Sequence, residues 1–435
     1  MRARAAIPTA VLLTIGLLVV SASAQAPAVI RSRLPNGLTV LVRENPVAPV
    51  VGISLMVKMG TRWETVDNAG ISNLVQLMAV RGTGSRNGSQ IVEAADAMGG
   101  SIEATGDVDF SEIGATALSR HWVEMLDLVA DIALRPTMPD GVFGAVRDFL
   151  LRQVRNRGEK SYDVALDTLT ARTYGRHPYA WDPIGLKGSL ERIDREALLA
   201  HYQRHYVPGG MVLAVSGRVT TAEVVTQATR LFGPVPVGPV PGAAPPPPPA
   251  AAPWREVRIV PGAQTQIMMG ALAPSLTDPD YAPMKVLATV LGGGMAGRFF
   301  SELRDKAGLA YTTGTQYPTR VDNSYFVAHL GTAPENAARA ESALREQIER
   351  VRREPMGEDE LRVAKASLLG NLAMDRRTNA RQAWYLAAYE EDSVGHEFLA
   401  RYVDAVRAVT AADVQRVAQR YLAVVRTIIV QPTPP

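Results

Sequence analysis

The stretch AGISNLVQLMAV, residues Ala69–Val80, carries the pattern from which the rest of the chain can be interpreted. Its large apolar residues recur at i, i+3, i+4 and i+7, which is the spacing of one face of an α-helix. They are Ile71, Leu74, Val75 and Met78. No side chain of the stretch is charged, although a helix at a protein surface normally carries charges on its outer face. We therefore expect the opposite face, with Asn73, Gln76 and Leu77, to be turned towards protein or an enclosed cavity.

Local signals on both sides agree with a helix at this position. Asp67 and Asn68 precede it as candidate N-cap residues, and Arg81–Gly84 follows it with two glycines. Upstream, Val50–Met59 is an apolar run typical of a buried strand, and Arg33–Val42 has a central Asn-Gly pair typical of a β-hairpin. The chain is therefore expected to begin with strands and to continue with helices.

Composition narrows the class of protein. The chain has 435 residues, of which 47% are hydrophobic and 20% charged, an ordinary globular composition with enough length for several domains. The 46 basic residues nearly balance the 43 acidic ones and form no long run, so nucleic acid is not an expected partner. Cysteine is absent, which excludes cysteine catalysis and disulfide bonds.

The first residues have the pattern of a secretory signal. Arg2 and Arg4 supply a positive end, Ala10–Val20 is apolar, and Ala22–Ala24 is an A-x-A cleavage sequence. The alternative is an uncleaved anchor, but the apolar run is short of the roughly 20 residues that a membrane span needs. We expect residues 1–24 to be removed and the mature protein to have no stable membrane insertion.

A proline-rich segment divides the remaining chain. Residues 234–254 include five consecutive prolines, Pro245–Pro249, and such a sequence forms a semi-rigid, extended spacer. Residues 25–233 and 255–435 are therefore predicted to be an N-terminal and a C-terminal domain. Each begins with strand-like segments and continues with helical ones.

The two halves also repeat one plan. Tyr281–Gly292 is a helical segment at the place that Ala69–Val80 occupies in the first half. Near the ends, Leu190–Tyr206 and Leu399–Tyr421 are each predicted as one helix that leads to a final strand. We predict an α+β fold with two homologous domains, each an antiparallel-rich sheet packed against helices.

Histidine pairs and glycine loops offer weak signals for chemistry. His201 and His205 lie at i and i+4, where two imidazoles could bind a metal ion, but a zinc site needs at least one more ligand. A polar helix face next to Tyr206–Pro208 is the preferred explanation of the pair. The glycine-rich loop Gly292–Gly297 lacks the Lys-Ser/Thr of a phosphate-binding loop, and it frees backbone amides just before a predicted helix at Arg298–Lys306.

Several short motifs, in their order and spacing, carry a family resemblance over nearly the whole mature length. They are Leu34–Leu38 (LPNGL), Gly60–Glu64 (GTRWE), Ala69–Ile71 (AGI), Tyr174–Tyr179 (YGRHPY), Gly185, Gly297–Arg304 (GRFFSELR) and Gly308–Tyr311 (GLAY). With them the chain resembles the insulinase-type, or pitrilysin (M16), metallopeptidases, and most closely the small two-domain bacterial members. The resemblance implies the duplicated fold of that family.

The resemblance also identifies four positions at which zinc chemistry is expected. Active members carry H-x-x-E-H on the first helix, where two histidines bind zinc and the glutamate activates water, and a later helix supplies a further glutamate. The matching residues here are Asn73, Gln76, Leu77 and Gln153. Amides are poor zinc ligands, leucine is none, and Gln76 cannot act as a carboxylate base. No metal or catalytic residue is therefore expected in this chain.

A second family feature is retained. Active enzymes of this type use an arginine and a tyrosine of the second domain to hold the substrate backbone, and Arg298 and Tyr311 occupy the matching positions. In heterodimeric members one subunit has the zinc motif and the other has the Arg/Tyr pair. The resemblance thus implies a non-catalytic, substrate-binding subunit in the periplasm, with peptides or unfolded polypeptides as substrates, and a homologous H-x-x-E-H subunit that supplies zinc.

Two other functions stay open at this point. One is a stand-alone peptide-binding or assembly protein without a protease partner. The other is an independent hydrolase that uses His201 and His205. The substrate, the partner's identity and the oligomeric state do not follow from the sequence.

Overall fold

The computed structural model describes residues 28–243, 245–249 and 252–433. The predicted signal segment 1–24 lies outside these residues. In the described part of the chain, no helix combines the length and the apolar character needed to cross a membrane.

The first half of the chain forms a mixed sheet covered by helices. Its strands are β1 (Val29–Arg33), β2 (Thr39–Glu44), β3 (Val50–Val57), β4 (Ser101–Gly106), β5 (Ser111–Leu118) and β6 (Met211–Gly217). Its helices are α1 (Ile71–Ala79), α2 (Gly88–Ala97), α3 (Trp122–Leu134), α4 (Asp140–Gly158), α5 (Ser161–Tyr174), α6 (Lys187–Arg192), α7 (Arg195–His205) and α8 (Thr221–Phe232). The strand order is β1-β2-β6-β3-β5-β4. The predicted hairpin is confirmed, because β1 and β2 pair antiparallel around a turn where Gly37 has a φ of 98°.

The second half repeats this arrangement. Its strands are β7 (Arg255–Val260), β8 (Thr265–Ala273), β9 (Thr312–Gln316), β10 (Ser324–Thr332) and β11 (Arg426–Pro432). Its helices are α9 (Tyr281–Gly292), α10 (Ala337–Arg353), α11 (Glu358–Asp375), α12 (Asn379–Glu391), α13 (Phe398–Ala408) and α14 (Ala411–Tyr421), with a π-helical segment at Phe299–Lys306. The strand order is β7-β11-β8-β10-β9.

The two sheets have the same topology. The order β2-β6-β3-β5-β4 corresponds strand by strand to β7-β11-β8-β10-β9. In each sheet the first of these pairs, β2/β6 or β7/β11, is parallel, and the pairs that follow are antiparallel. The predicted α+β class with two homologous, antiparallel-rich sheets is confirmed, while the exact domain boundaries stay a prediction.

Each half contributes one helix that packs on the sheet of the other half. Ala383 and Leu386 of α12 pack on residues of the first sheet such as Met56 and Val212. Ala165 and Leu169 of α5 pack on the second sheet. Both faces of each sheet are therefore covered, which explains why β3 is a continuous apolar run and not an alternating one.

Two predicted helices were wrong in the same way. Leu190–Tyr206 and Leu399–Tyr421 are each divided into two helices, α6/α7 and α13/α14. The break occurs where Asp194 accepts a hydrogen bond from the Ala197 N–H, and where Thr410 forms a capping box with Asp413. Because these side chains cap a new helix, they end the preceding one.

Candidate functional site

The start of α1 is held by a carboxylate that the sequence pattern did not reveal. The Glu64 carboxylate accepts hydrogen bonds from the backbone N–H groups of Gly70 at 2.8 Å and Ser72 at 2.9 Å, and from the Trp181 indole at 3.3 Å. The predicted cap at Asp67 and Asn68 was therefore wrong, since Gly70 is the N-cap residue. A carboxylate at a helix N-terminus satisfies free N–H groups and interacts favourably with the helix dipole. Burial nevertheless raises the pKa of Glu64.

Gly70 is required for this geometry. Its φ is 93°, a conformation that favours glycine, and a Cβ there would lie 2.7 Å from the Cα of Gly185. This close approach explains why the AGI motif and Gly185 occur together, and it fixes where α1 begins.

The second face of α1 is only partly enclosed. Gln76 is fully buried, and its Oε1 accepts a hydrogen bond from the Tyr206 hydroxyl at 3.1 Å, while its Nε2 has no partner among the described residues. Asn73 and Leu77 are each partly exposed. The expected enclosure thus holds for Gln76, and the other two positions remain accessible from one side.

The fourth expected position lies on a neighbouring helix. Gln153 belongs to α4, which packs against α1, and its side chain is partly exposed. The helices expected to build a zinc site are therefore in contact.

The residues at these positions do not fit a zinc ion. Leu77 offers no donor atom, and Gln76 uses its only acceptor atom to receive the Tyr206 hydroxyl. Throughout residues 28–243, 245–249 and 252–433, no group of three or more His, Cys, Asp or Glu side chains is arranged to hold a metal ion.

His201 and His205 form a buried pair, and the interpretation as a polar helix face was wrong. His201 Nε2 lies 3.1 Å from Ser72 Oγ, and His205 Nδ1 donates to the Lys58 carbonyl oxygen at 2.5 Å. Burial lowers the pKa of His201 to about 3 and that of His205 to about 4. Both are therefore neutral at pH 7, and they connect α7 to α1 and to the end of β3.

An edge strand runs beside the accessible side of α1. β4 is the last strand of its sheet, and a Cβ on Gly106 at its end would lie 2.8 Å from the Cα of Asn73. The N–H and C=O groups on the outer side of an edge strand are free to pair with an added strand. An extended peptide paired with β4 would therefore pass close to Asn73.

Arg298 forms an ion pair with Glu360 that uses two of its donor nitrogens. Its Nε and Nη2 donate to the two carboxylate oxygens of Glu360 at 2.6 and 2.7 Å, and its side chain is 12% exposed. Its Nη1 has no partner in the described structure. This one unpaired nitrogen of the guanidinium is buried from solvent.

Tyr311 is the accessible member of the pair. Its side chain is 57% exposed, and it directly precedes β9, the edge strand of the second sheet. Within the described ranges, no hydrogen bond joins Arg298 or Tyr311 to α1 or α4. The two predicted groups of site residues are thus not connected by hydrogen bonds within this chain.

Residues of two motifs build the contact between the halves. Arg62 of the GTRWE motif donates to both carboxylate oxygens of Asp322 at 2.7 and 3.0 Å. The Tyr179 hydroxyl, in the YGRHPY motif, accepts a hydrogen bond from the Asp322 N–H at 3.2 Å, and the Tyr174 hydroxyl donates to the Asn323 carbonyl oxygen at 2.8 Å. Sequence reasoning found these motifs but gave their side chains no role, because the partners are distant in the chain.

Comparison with protein families places both halves. Residues 39–182 match the family described as Insulinase (Peptidase family M16), and residues 192–368 match the one described as Peptidase M16 inactive domain. An uncharacterised zinc protease of Rickettsia felis is 27% identical over 370 residues, which cover 85% of this chain and 87% of that protein. One of Mycobacterium tuberculosis is 26% identical, with 90% of each chain covered.

Solved structures show the same fold. A peptidase M16 inactive domain from Pseudomonas fluorescens aligns with a TM-score of 0.87 at 22% identity, covering 94% of this chain and 98% of that one. A protease from Helicobacter pylori aligns with a TM-score of 0.88 at 19% identity, and the alignment covers 94% of this chain and 100% of that one. At these identities the likeness establishes the fold alone.

Proposed function

Because the chain belongs to the M16 (insulinase) family of peptidases, we propose that it is the non-catalytic, substrate-binding subunit of a heterodimeric zinc metallopeptidase. A homologous subunit with H-x-x-E-H supplies the zinc ion and the base. The pair acts on peptides or unfolded polypeptides in the periplasm, which agrees with the signal pattern in residues 1–24.

One observation carries this proposal. The scaffold of a zinc site is present, with α1 against α4, but Gln76 is engaged by Tyr206 and Leu77 has no donor atom. A chain that keeps the scaffold and lacks the ligands can still bind a peptide, while the reaction needs a second subunit.

Peptide binding is supported by two accessible features. The edge strand β4 offers free backbone groups beside Asn73, and this recognition mode does not depend on the peptide sequence. Tyr311 offers an exposed side chain, while the unpaired Nη1 of Arg298 is buried and would become available only if the side chain moves. Both are suited to donate hydrogen bonds to peptide carbonyl oxygens.

One contact favours a second candidate. The ion pair between Arg298 and Glu360 occupies two donors that a partner's substrate would need. If this pair stays closed, the chain fits better as a peptide-binding or assembly protein that needs no protease.

Reconstitution tests the two candidates. The chain is co-expressed with an H-x-x-E-H homologue encoded in a neighbouring reading frame, and assembly and cleavage of a quenched fluorescent peptide are measured for each subunit and for the pair. We expect cleavage by the pair to exceed that of either subunit at least tenfold. A homologue that cleaves equally well alone, or that never associates, would favour the second candidate.

Variants of the pair then test the two side chains. Tyr311→Phe and Arg298→Ala are expected to lower turnover at least tenfold without loss of assembly, since donors to a reacting carbonyl typically contribute 10²–10³-fold. Arg362→Ala, an exposed arginine on α11 with a side chain 71% exposed, is the matched control. Unchanged turnover in both variants would remove these residues from the site.

A further inference from the structure

A cavity lies between the two halves, away from α1. Its volume is about 470 Å³, within the range of small-molecule sites. The turn between β4 and β5 supplies Asp107 and Phe110, and α9, α11 and α12 supply most of the remaining wall. Asn371 and Asp375 are exposed at its rim. None of Asn73, Gln76, Leu77 and Gln153 lines it, so it is independent of the proposed function.

Aromatic side chains dominate the lining. They are Phe110, Tyr281, Trp384, Tyr385, Tyr389 and Tyr402. Aromatic walls provide a large apolar surface with little loss of side-chain freedom, and they favour a ligand with a flat, apolar group.

A lysine lies in this wall without a carboxylate partner. Lys285 Nζ donates to the Tyr317 carbonyl oxygen at 2.8 Å and to Thr319 Oγ1 at 3.3 Å. It lies 5.1 and 4.7 Å from the ring centres of Tyr281 and Tyr317. No carboxylate of the described residues forms an ion pair with it. Burial and the neighbouring Arg320 lower the pKa of Lys285 to about 7.

Arg320 brings a second positive charge to the same wall. Among the residues that the structure describes, its guanidinium donates one hydrogen bond, to the Thr319 carbonyl oxygen at 3.4 Å, and forms one ion pair, with Asp107 at 3.6 Å. Most of its five N–H donors are therefore available. Lys285 and Arg320 repel each other, and an anion placed between them would reduce this repulsion.

Carboxylates also line the cavity, but most are engaged. Asp109 accepts from the Tyr179 hydroxyl and the Val321 N–H, and Asp375 pairs with Arg381. Burial and neighbouring acids raise the pKa of Asp392 well above its usual range, which favours its uncharged form. Asp107 accepts from the Val108 N–H and faces Arg320 at 3.6 Å, so its charge is balanced in part by that guanidinium.

We propose that this cavity binds a small carboxylate that carries an aromatic group, with Lys285 and Arg320 at the carboxylate and the tyrosine and tryptophan rings around the aromatic part. A free aromatic amino acid and the C-terminal residue of a peptide share this chemistry.

Calorimetric titration of the full chain tests the site, with intrinsic tryptophan fluorescence, to which Trp384 in the cavity wall contributes, as a second signal. N-acetylphenylalanine represents a peptide C-terminus, free phenylalanine the amino acid, and N-acetylphenylalaninamide lacks the carboxylate. We expect saturable binding of at least one carboxylate and at least tenfold weaker binding of the amide. Tighter binding of the acetylated or the free form identifies the source of the ligand.

The matched variants are Lys285→Met and Lys187→Met, the latter on a lysine whose side chain is 76% exposed. Lys285 has no carboxylate partner, so its replacement by methionine leaves no unpaired buried charge behind. Lys285→Met is therefore expected to fold, which thermal unfolding verifies. It should weaken carboxylate binding at least tenfold, and Lys187→Met should not change it. No saturable binding, or equal binding of acid and amide, overturns the proposal, as does unchanged binding by folded Lys285→Met.

Discussion

At the scale of single residues, buried polar side chains determine how α1 is placed. Glu64 binds its first turn, Ser72 faces His201, and Gln76 receives the Tyr206 hydroxyl. A buried polar group without its partner costs about 1–3 kcal/mol. These contacts are therefore expected to contribute measurably to stability, independently of any catalytic role.

The cap at Glu64 can be tested against the cap that the sequence pattern predicts. Glu64→Gln replaces one acceptor oxygen by an NH₂ group that cannot receive a backbone N–H, so we expect a loss of about 1–3 kcal/mol in urea unfolding. Asp67→Asn is the control, because the side chain of Asp67 is 83% exposed and caps nothing. Its change should stay within about 0.5 kcal/mol. Equal losses in the two variants would show that Glu64 is not the cap.

The histidine pair predicts a loss of stability in acid. The pKa of His201 is about 3 in the folded chain, against about 6.5 for an exposed imidazole, so between these values only the unfolded chain takes up the proton. The contribution of neutral His201 to the free energy of unfolding is thus fully present above pH 6.5. It falls as the pH is lowered, and about 2 kcal/mol is lost at pH 5.

Urea unfolding at pH 7 and pH 5 measures this effect. His201→Gln should reduce the loss between the two pH values by about 2 kcal/mol, and His121→Gln, on a partly exposed histidine, should leave it unchanged. Glu112 and Glu391, whose pKa values burial raises to about 7 and about 8, act in the opposite direction. Their effect is common to all variants and cancels in the comparison.

At the scale of elements, each half is completed by a helix of the other. α12 lies on β3 so closely that Gly52 has no room for a side chain, since a Cβ would be 2.4 Å from the backbone of Ala380. α5 lies on β8 with more tolerance, because a Cβ on Gly270 would meet the Leu169 side chain at 2.7 Å. Backbone cannot move aside locally as a side chain can.

Alanine substitutions distinguish these two contacts. Gly52→Ala should destabilise the protein by about 2–3 kcal/mol, and Gly270→Ala by about 1 kcal/mol, as measured by thermal or urea unfolding. Gly141→Ala on α4 is the control, because nothing lies within 4 Å of its Cβ position. This substitution should stabilise the helix by about 0.5–1 kcal/mol. A cost for Gly52→Ala no greater than for Gly270→Ala would contradict a tight α12 contact.

The sequence patterns predicted the helices and strands far better than the way in which they pack against one another. Periodicity predicted α9 with its observed bounds, Tyr281–Gly292, because its apolar residues follow helical spacing up to a run of glycines. It did not predict α2 and α8, or the breaks at Asp194 and Thr410, where a single cap outweighs a continuous helical pattern. The exchange of α5 and α12 depends on contacts between distant segments and has no local signal.

The site was predictable to a similar extent. The positions of Asn73, Gln76, Leu77 and Gln153 follow from motifs, and α1 and α4 are indeed in contact. The role of Glu64 and the pairing of Arg298 with Glu360 are tertiary contacts, which no spacing in the sequence encodes.

At the scale of the whole molecule, the chain combines a duplicated scaffold with a helix, α1, whose residues Gln76 and Leu77 do not fit a zinc ion. Helix α1 is held by Glu64, Gly70 and the buried histidines, and none of these contacts depends on a metal ion. These contacts hold α1 in place by hydrogen bonds and close packing. It follows that the expected zinc positions can be changed without loss of the scaffold.

Restoring the four side chains together tests whether the scaffold is still suited to zinc. The variant carries Asn73→His, Gln76→Glu, Leu77→His and Gln153→Glu. A carboxylate at position 76 still accepts from the Tyr206 hydroxyl, and the partly exposed positions 73, 77 and 153 have room for new side chains. We expect about one zinc ion per chain by elemental analysis, and a rise in melting temperature on zinc addition that a chelator reverses.

Asn73→His with Leu77→His alone is the control, since two ligands should hold zinc far more weakly than three. A folded quadruple variant without zinc would show that one of these positions has been assigned wrongly, and Gln153, which rests on motif spacing alone, would be the first to re-examine.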